Sequence, residues 1–283
     1  MNHLFRELAP ISDRAWDEIC DEATRVLRQF LSARKTVDVE GPHGWEHSAE
    51  PTGRVASLPE APQDGVAGSV RLVQPLVELR ADFDLPLSEL AALDRGADDG
   101  DLEPVAEAAR RIALAEDRSV FRGYASGQIR GVVEASPHAP ITISDDYEEY
   151  PSWVARAVAT LQLEGVEGPY AIALGPRCYR GVVETTQRGG YPVFEHIRNI
   201  LDGPIIWAPS VDGAVVVSRR GGDFVLTLGQ DISVGYRSHD SEKVSLYLEE
   251  SMTFRALGPE AGIALVYAND TSATKGRRRN RAG

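Results

Sequence analysis

The chain has 283 residues, 42% of them hydrophobic and 26% charged, with 30 Lys and Arg against 43 Asp and Glu for a net charge of −13. That length supports a core without cross-links, the composition is too apolar for disorder, and the charge is wrong for general binding to a phosphate backbone. Cys20 and Cys178 are too few for a disulfide framework, and no apolar run reaches the roughly 18 residues of a membrane span.

The segment Met1–Pro10 has no apolar signal core, so a cytosolic compartment is expected. Residues 14–34 then predict an amphipathic helix. Trp16, Ile19, Cys20, Ala23, Val26, Leu27, Phe30 and Leu31 recur every three or four positions. Ser12 or Asp13 can cap it, and Asp17 and Glu18 suit its positive first turn. Most of the stripe reads as core. Phe30 and Leu31 fall in the last turn, where part of a stripe can stay exposed.

Residues 50–75 change character. Pro51, Gly53, Pro59, Pro62, Gly65 and Gly68 interrupt a polar stretch, and two β-like pieces (Gly53–Leu58 and Ser69–Val73) flank Asp64-Gly65. This predicts a long two-stranded arm with no core of its own. A bare hairpin is marginal in water, so the arm must lie on its own domain or on a neighbouring subunit.

Leu76–Phe83 reads as a strand and Asp101–Tyr124 as a second long helix, with Val105, Ala108, Ala109, Ile112, Ala115, Ser119 and Val120 on its inner face. A third helix is expected over Ser152–Leu163, a short buried strand over Ala171–Leu174 and a fourth helix over Tyr191–Leu201. From Pro204 the period switches to two. Ile205–Trp207, Ala214–Ser218, Phe224–Leu228, Val244–Leu248 and Thr253–Ala256 read as strands among Asp-Gly and Gly-Gly turns. Helices first and antiparallel strands late make the class α+β. Residues 269–283, with Lys275, Arg277, Arg278, Arg279 and Arg281 and no acid from 271 on, read as a disordered basic tail.

The sharpest catalytic pattern is His43-Gly44-Trp45-Glu46-His47, which fits the H-x-x-E-H spacing of zinc peptidases. That chemistry needs both histidines on one helical face beside a Glu base. Gly41-Pro42 before the motif and Gly44 inside it argue for a loop instead. No phosphate-cradling glycine loop and no nucleophile elbow occur in the sequence. The residues thus favour an assembly or binding role over catalysis.

Several collinear stretches carry a resemblance. They are Leu4–Pro10, Ala33–Val39 running into Gly41-Pro42-His43-Gly44-Trp45-Glu46, Ala115-Glu116-Asp117-Arg118 with Phe121-Arg122-Gly123, and Gly165–Tyr170. The most specific are Arg220-Gly221-Gly222-Asp223-Phe224, Leu228–Tyr236 and Glu250-Ser251-Met252-Thr253-Phe254. As an ordered set they resemble the encapsulins, the linocin-like (type 1) bacterial nanocompartment shell proteins. The resemblance implies the major capsid protein fold of tailed phages (HK-ninety-seven-like). Residues 1–49 would be the N-terminal helix and the start of a peripheral domain, and 50–75 its E-loop. Residues 76–139 would hold the spine helix and 140–212 an axial domain. The segment 213–268 would return to the peripheral domain, with the tail after it.

The function implied is not enzymatic. It is self-assembly into a closed cytoplasmic icosahedral shell around a ferritin-like iron oxidase or dye-decolourising peroxidase, hence a part in iron storage or oxidative stress. The smallest shell is expected. The partners implied are further copies of the chain and a cargo protein with a C-terminal targeting peptide, with no membrane and no specific nucleic acid. By position the peptide would dock on Leu27, Phe30, Leu31, Arg34, Asp38, Ile232 and Tyr247; Leu27 and Leu31 fit an ordinary core stripe equally well. Thr185, Thr186, Gln187, Arg188, Gly189, Gly190 and Tyr191 would form the five-fold pore loop, where Arg188 would favour anions. Some relatives stack a flavin on a Trp whose place here is taken by Ser88, although Arg80 remains, so no flavin or other cofactor is expected. A prophage-derived capsid protein is the alternative with the same fold, and a zinc peptidase using His43, Glu46 and His47 is the alternative with a different one.

Overall fold

Helix α1 (Asp13–Phe30) starts where the sequence places it. The Ser12 hydroxyl accepts from the Ala15 amide at 3.2 Å. It stops four residues before the expected end. The Ser32 and Ala33 amides leave the helical ladder and donate to the Asp117 carboxylate, 85 and 84 residues away in sequence. A short 3-10 turn (Ala33–Lys35) leads to β1 (Asp38–Glu40). The arm follows as β2 (Ala49–Ser57) and β3 (Ser69–Pro75), and the chain re-enters the body as β4 (Val77–Pro86). An unforeseen helix α2 (Leu87–Asp94) precedes the long helix α3 (Glu103–Arg122), which Gly123 terminates at φ 95°.

The computed structural model describes residues 3–268. The basic tail expected over 269–283 lies outside the described residues. After the short α4 (Val132–Ala135) come β5 (Ile141–Ile143), α5 (Tyr150–Leu163), β6 (Tyr170–Leu174), α6 (Pro176–Glu184) and α7 (Val193–Leu201). The remaining strands are β7 (Ile205–Trp207), β8 (Ala214–Ser218), β9 (Phe224–Leu228), β10 (Ser233–His239), β11 (Lys243–Ala256) and β12 (Gly262–Tyr267).

The strands make two five-stranded sheets and the separate arm. In the first sheet β11 is the axis. Val244 pairs with both Leu85 of β4 and His239 of β10, and Met252 with both Val77 of β4 and Leu228 of β9. Strand β4 therefore fills one edge of β11, while β10 and β9 follow each other along the other. Strands Val244–Leu248 and Thr253–Ala256, expected as two, are one. Glu249 and Glu250 interrupt the apolar pattern but not the strand; Arg80 lies 3.9 Å from Glu249 and Arg34 3.3 Å from Glu250.

The second sheet runs β5-β12-β8-β6-β7. Strands β8 and β12, from the segment expected to return to the peripheral domain, are its middle. Sheet membership therefore divides 213–268 between both sheets.

Two apolar clusters hold the frame. One packs Ile19, Ala23 and Val26 of α1 and Val105, Ala109 and Ile112 of α3 against Phe83, Leu85, Leu246 and Leu248. The other joins Val154 and Leu161 of α5 and Ile197 of α7 to Ile172, Val216 and Leu265. It continues through Leu226 and Phe254 into the first sheet. The mixture of helices and mostly antiparallel sheets is the expected α+β class.

Candidate functional site

The arm is the first unusual surface. Strands β2 and β3 pair antiparallel, Val55 opposite Arg71 and Ala56 opposite Val70, with a register shift between Pro51 and Val55. The connection is the long stretch 58–68 with Asp64-Gly65 in a turn, not a two-residue loop. No residue of either strand is buried. By strand alternation Val70 and Leu72 share one face, and Val73 shares the other with Val55. Val55, Val70, Leu72 and Val73 are 64, 47, 41 and 52% exposed. A hairpin with one wet and one packed side would be apolar on one face only. This one is apolar on both.

The docking residues named from the resemblance do not all meet. Leu27, Phe30 and Ile232 are half-buried at the rim of the α1 cluster. Beside them Arg34 Nη1 lies 2.7 Å from Asp231 Oδ1, and the Ile232 amide donates to the same oxygen at 2.8 Å. Leu31 is buried. Asp38 sits elsewhere, accepting from the Gly222 amide at 2.6 Å. Tyr247 alternates with Leu246 and Leu248, whose side chains pack in the α1 cluster, so it faces the other side of the sheet. There the Arg80 guanidinium covers its ring at 3.5 Å. Sequence reasoning missed two neighbours of Phe30: Trp207, edge-on at 5.4 Å, and Arg110, whose guanidinium is 5.1 Å from the Phe30 ring. Neither carries a local signal, since each comes from an element far along the chain.

Arg34 has a second role. Its guanidinium reaches Glu116 of α3 at 2.6 Å and Glu250 of β11 at 3.3 Å, and both carboxylates are fully buried. Burial pulls the Arg34 pKa down, but the carboxylates of Glu116, Glu250 and Asp231 outweigh it and hold the group charged. Burial, and then Glu116, push the Glu250 carboxyl well above the usual range. Asp117 accepts from the Ser32 hydroxyl and from the Ser32 and Ala33 amides. Even so, burial pushes it up to about 7. This centre ties the end of α1, α3 and β11 together. The quoted Glu116-Asp117 pair marked it in sequence, but nothing there said that the pair is interior.

The loop Thr185–Tyr191 joins α6 to α7. Thr186 bridges Pro192, and the Gln187 amide donates to the Tyr191 carbonyl at 2.9 Å. Gly189 and Gly190 take φ of 103° and 81°, which a side chain would strain. They carry the tip next to Arg188, which is exposed beside Asp146, Glu148 and Glu149. Gln187 holds the loop to the body through the Glu148 carbonyl and His196 Nδ1. Ser88 is exposed in the first turn of α2.

His43–His47 is a loop, not a helix. The His43 and Gly44 amides donate to the Leu228 and Gly229 carbonyls, and His47 turns to Glu50. This is not the one-faced helical pair a zinc peptidase needs, and among the described residues no cluster of His, Cys, Asp and Glu is suited to a metal.

The sequence profile of the Linocin_M18 family, encapsulating protein for peroxidase, matches residues 1–253. The type 1 encapsulin shell protein of Rhodospirillum rubrum is 52% identical over 94% of this chain and 96% of its own. The chain belongs to the encapsulin family. A type 1 encapsulin shell protein of Mycobacterium tuberculosis is 44% identical over 94% of this chain and 99% of its own. The fold is also that of the virus-like particle from Pyrococcus furiosus, with a TM-score of 0.66 at 17% identity over 88% of this chain and 98% of that one. The capsid of the Myoviridae phage XM1 gives 0.54 at 12% identity over 84% and 92%. The encapsulin fold is thus the capsid fold of tailed phages, and the relatives' role is structural rather than catalytic.

Proposed function

We propose that the chain assembles with copies of itself into a closed icosahedral shell in the cytoplasm, each arm lying on a neighbouring subunit. The observation that carries this is the arm with apolar side chains on both faces and none of them buried by its own chain. A surface of that kind asks for another polypeptide rather than water. The occupant is a second copy, because closed homo-oligomers satisfy such surfaces by symmetry. Expression of the chain alone should give uniform hollow particles in the void volume of a sizing column, seen by negative-stain microscopy. A monomer or dimer at micromolar concentration would overturn the reading.

The rim formed by Leu27, Phe30 and Ile232, with Trp207 beside it, takes the short apolar C-terminal peptide of a cargo enzyme, either a ferritin-like iron oxidase or a dye-decolourising peroxidase. Half-buried aliphatic and aromatic groups at a helix end offer two or three anchor positions. Asp38 and Tyr247 are dropped from this surface because they point elsewhere. A fluorescent protein carrying a Gly/Leu-rich apolar tail should co-purify with wild-type shells and be lost from Phe30→Ala shells. The flavin position does not fit, since Ser88 offers no ring and Arg80 already lies on Tyr247. The loop with Arg188 lines the pore at the five-fold axis.

A further inference from the structure

The arm joins the body through few polar contacts, and the strongest converge on one side chain. Glu50 is the second residue of β2, at the arm's root. Its Oε1 lies 2.7 Å from His47 Nε2, and its Oε2 lies 3.1 Å from Arg255 Nη2. Arg255 belongs to the far end of β11 and also reaches Glu40 of β1 at 3.6 Å. Its Nε is buried without a hydrogen-bond partner. His43 packs against His47 at 4.9 Å between ring centroids. The side chains are largely shielded, at 13% exposure for Glu50 and 19% for Arg255, so these contacts are screened far less than surface pairs. Gln74 Nε2 also reaches the Gln128 carbonyl at 3.0 Å, whereas the Leu76 amide to the Ser48 carbonyl continues the arm's own ladder. Glu50 is the carboxylate that ties β2 to β11.

We infer that Glu50, clamped between His47 and Arg255, is the positioning residue that fixes the angle at which the arm leaves the body, and so the curvature and size of the assembly. The inference rests on the shell reading above. In a closed shell each subunit meets its neighbours at fixed rotations, and a change in those rotations alters or prevents closure. Arg255 gives the clamp its direction. With Nε orphaned, the guanidinium has two carboxylates to satisfy, and losing Glu50 leaves it only the longer contact to Glu40.

The test is Glu50→Gln, which keeps the shape but removes the charge and turns one of the two acceptor oxygens into a donor, with His47→Ala as a milder second variant. Particle diameters are measured by charge-detection mass spectrometry and microscopy. A charge-assisted pair of this kind is worth about tenfold in a two-state ratio. Glu50→Gln is therefore expected to raise the ratio of off-size and unassembled chain to wild-type-size particles about tenfold, and His47→Ala to raise it less. Wild-type diameters and yield from Glu50→Gln would overturn the inference while leaving the shell reading intact; wild-type chain that forms no particle would overturn the shell reading itself. If Glu50→Gln lowers the melting midpoint, amide exchange of the dissociated chain decides. Faster exchange confined to the arm root around Leu76 supports the clamp, and faster exchange throughout the body overturns it.

Discussion

Strand β8 reads Ala-Val-Val-Val-Ser and strand β3 reads Ser-Val-Arg-Leu-Val-Gln-Pro. Both are rich in the β-branched residues that suit a pleated surface. Yet every residue of β8 is buried, while no residue of β3 is. The difference lies in the neighbours. Strand β8 has β6 and β12 on its two edges, with α5 packed against it. Strand β3 pairs only with β2 and meets the body only where it touches β11. Local sequence decides that a strand forms, and the rest of the molecule decides what covers it. The arm's own chain buries none of it, and the proposed shell would supply a second copy as the cover.

That contrast is broken most directly on the arm. Val70→Asp with Leu72→Asp places two charges on one apolar face. The expected outcome is complete loss of particles, with the far-ultraviolet spectrum and melting of the dissociated chain unchanged. A dissociated chain that no longer folds would mean the arm belongs to the body's own core. The opposite substitution is Arg34→Ala in the buried centre. It strands Glu116 and Glu250 without their cation, and breaking a buried pair costs on the order of 3–5 kcal/mol. Denaturant titration of the dissociated chain should register that loss before any assembly assay does.

Asp117 sharpens the contrast by pH. Its folded pKa of about 7 lies above the roughly 3.9 of an unfolded Asp, so the folded state holds the proton more tightly. The stability this contributes is full below about 4 and is lost as pH rises to about 7, with a slope of up to about 1.4 kcal/mol per pH unit. Glu250 is raised for the same reason and extends the loss in the same direction. Asp117→Asn should flatten the slope between pH 4 and 7 while lowering stability overall; a slope that survives the substitution would assign it to other groups. The smallest effect is expected at the exposed loop. Arg188→Glu should leave folding and particle size alone and speed iron entry a few-fold, by local charge. Equal entry rates in both shells would remove Arg188 from the pore.

What the sequence made legible divides along the same line. Helices α1 and α3 were readable because one face of each repeats against a core, and the arm because its turn residues interrupt the chain. Strand β11 was misread as two because Glu249 and Glu250 look like a break. They are interior because Arg80 and Arg34, more than 160 residues earlier, lie within 3.9 and 3.3 Å. Strands β5 and β12 were missed because short apolar runs have no distinctive period, and what fixes them is pairing with each other and with β8. Helix α6 had its signal in Gly175-Pro176, a start with proline in the first turn. In the candidate site, Leu27, Phe30 and Ile232 fall together, whereas Asp38 and Tyr247 do not. Position in a resemblance carries no information about which face of a strand a side chain takes.

The placement of β11 and β12 has a consequence for synthesis. Both sheets stay open until the chain beyond residue 243 has emerged from the ribosome, because β11 is the axis of one and β12 an inner strand of the other. The arm is translated nearly 170 residues before the strand that carries its anchor at Arg255. A nascent subunit therefore presents an apolar hairpin on an unfinished body. A chain stopped at residue 242 should be digested by protease as readily as an unfolded one.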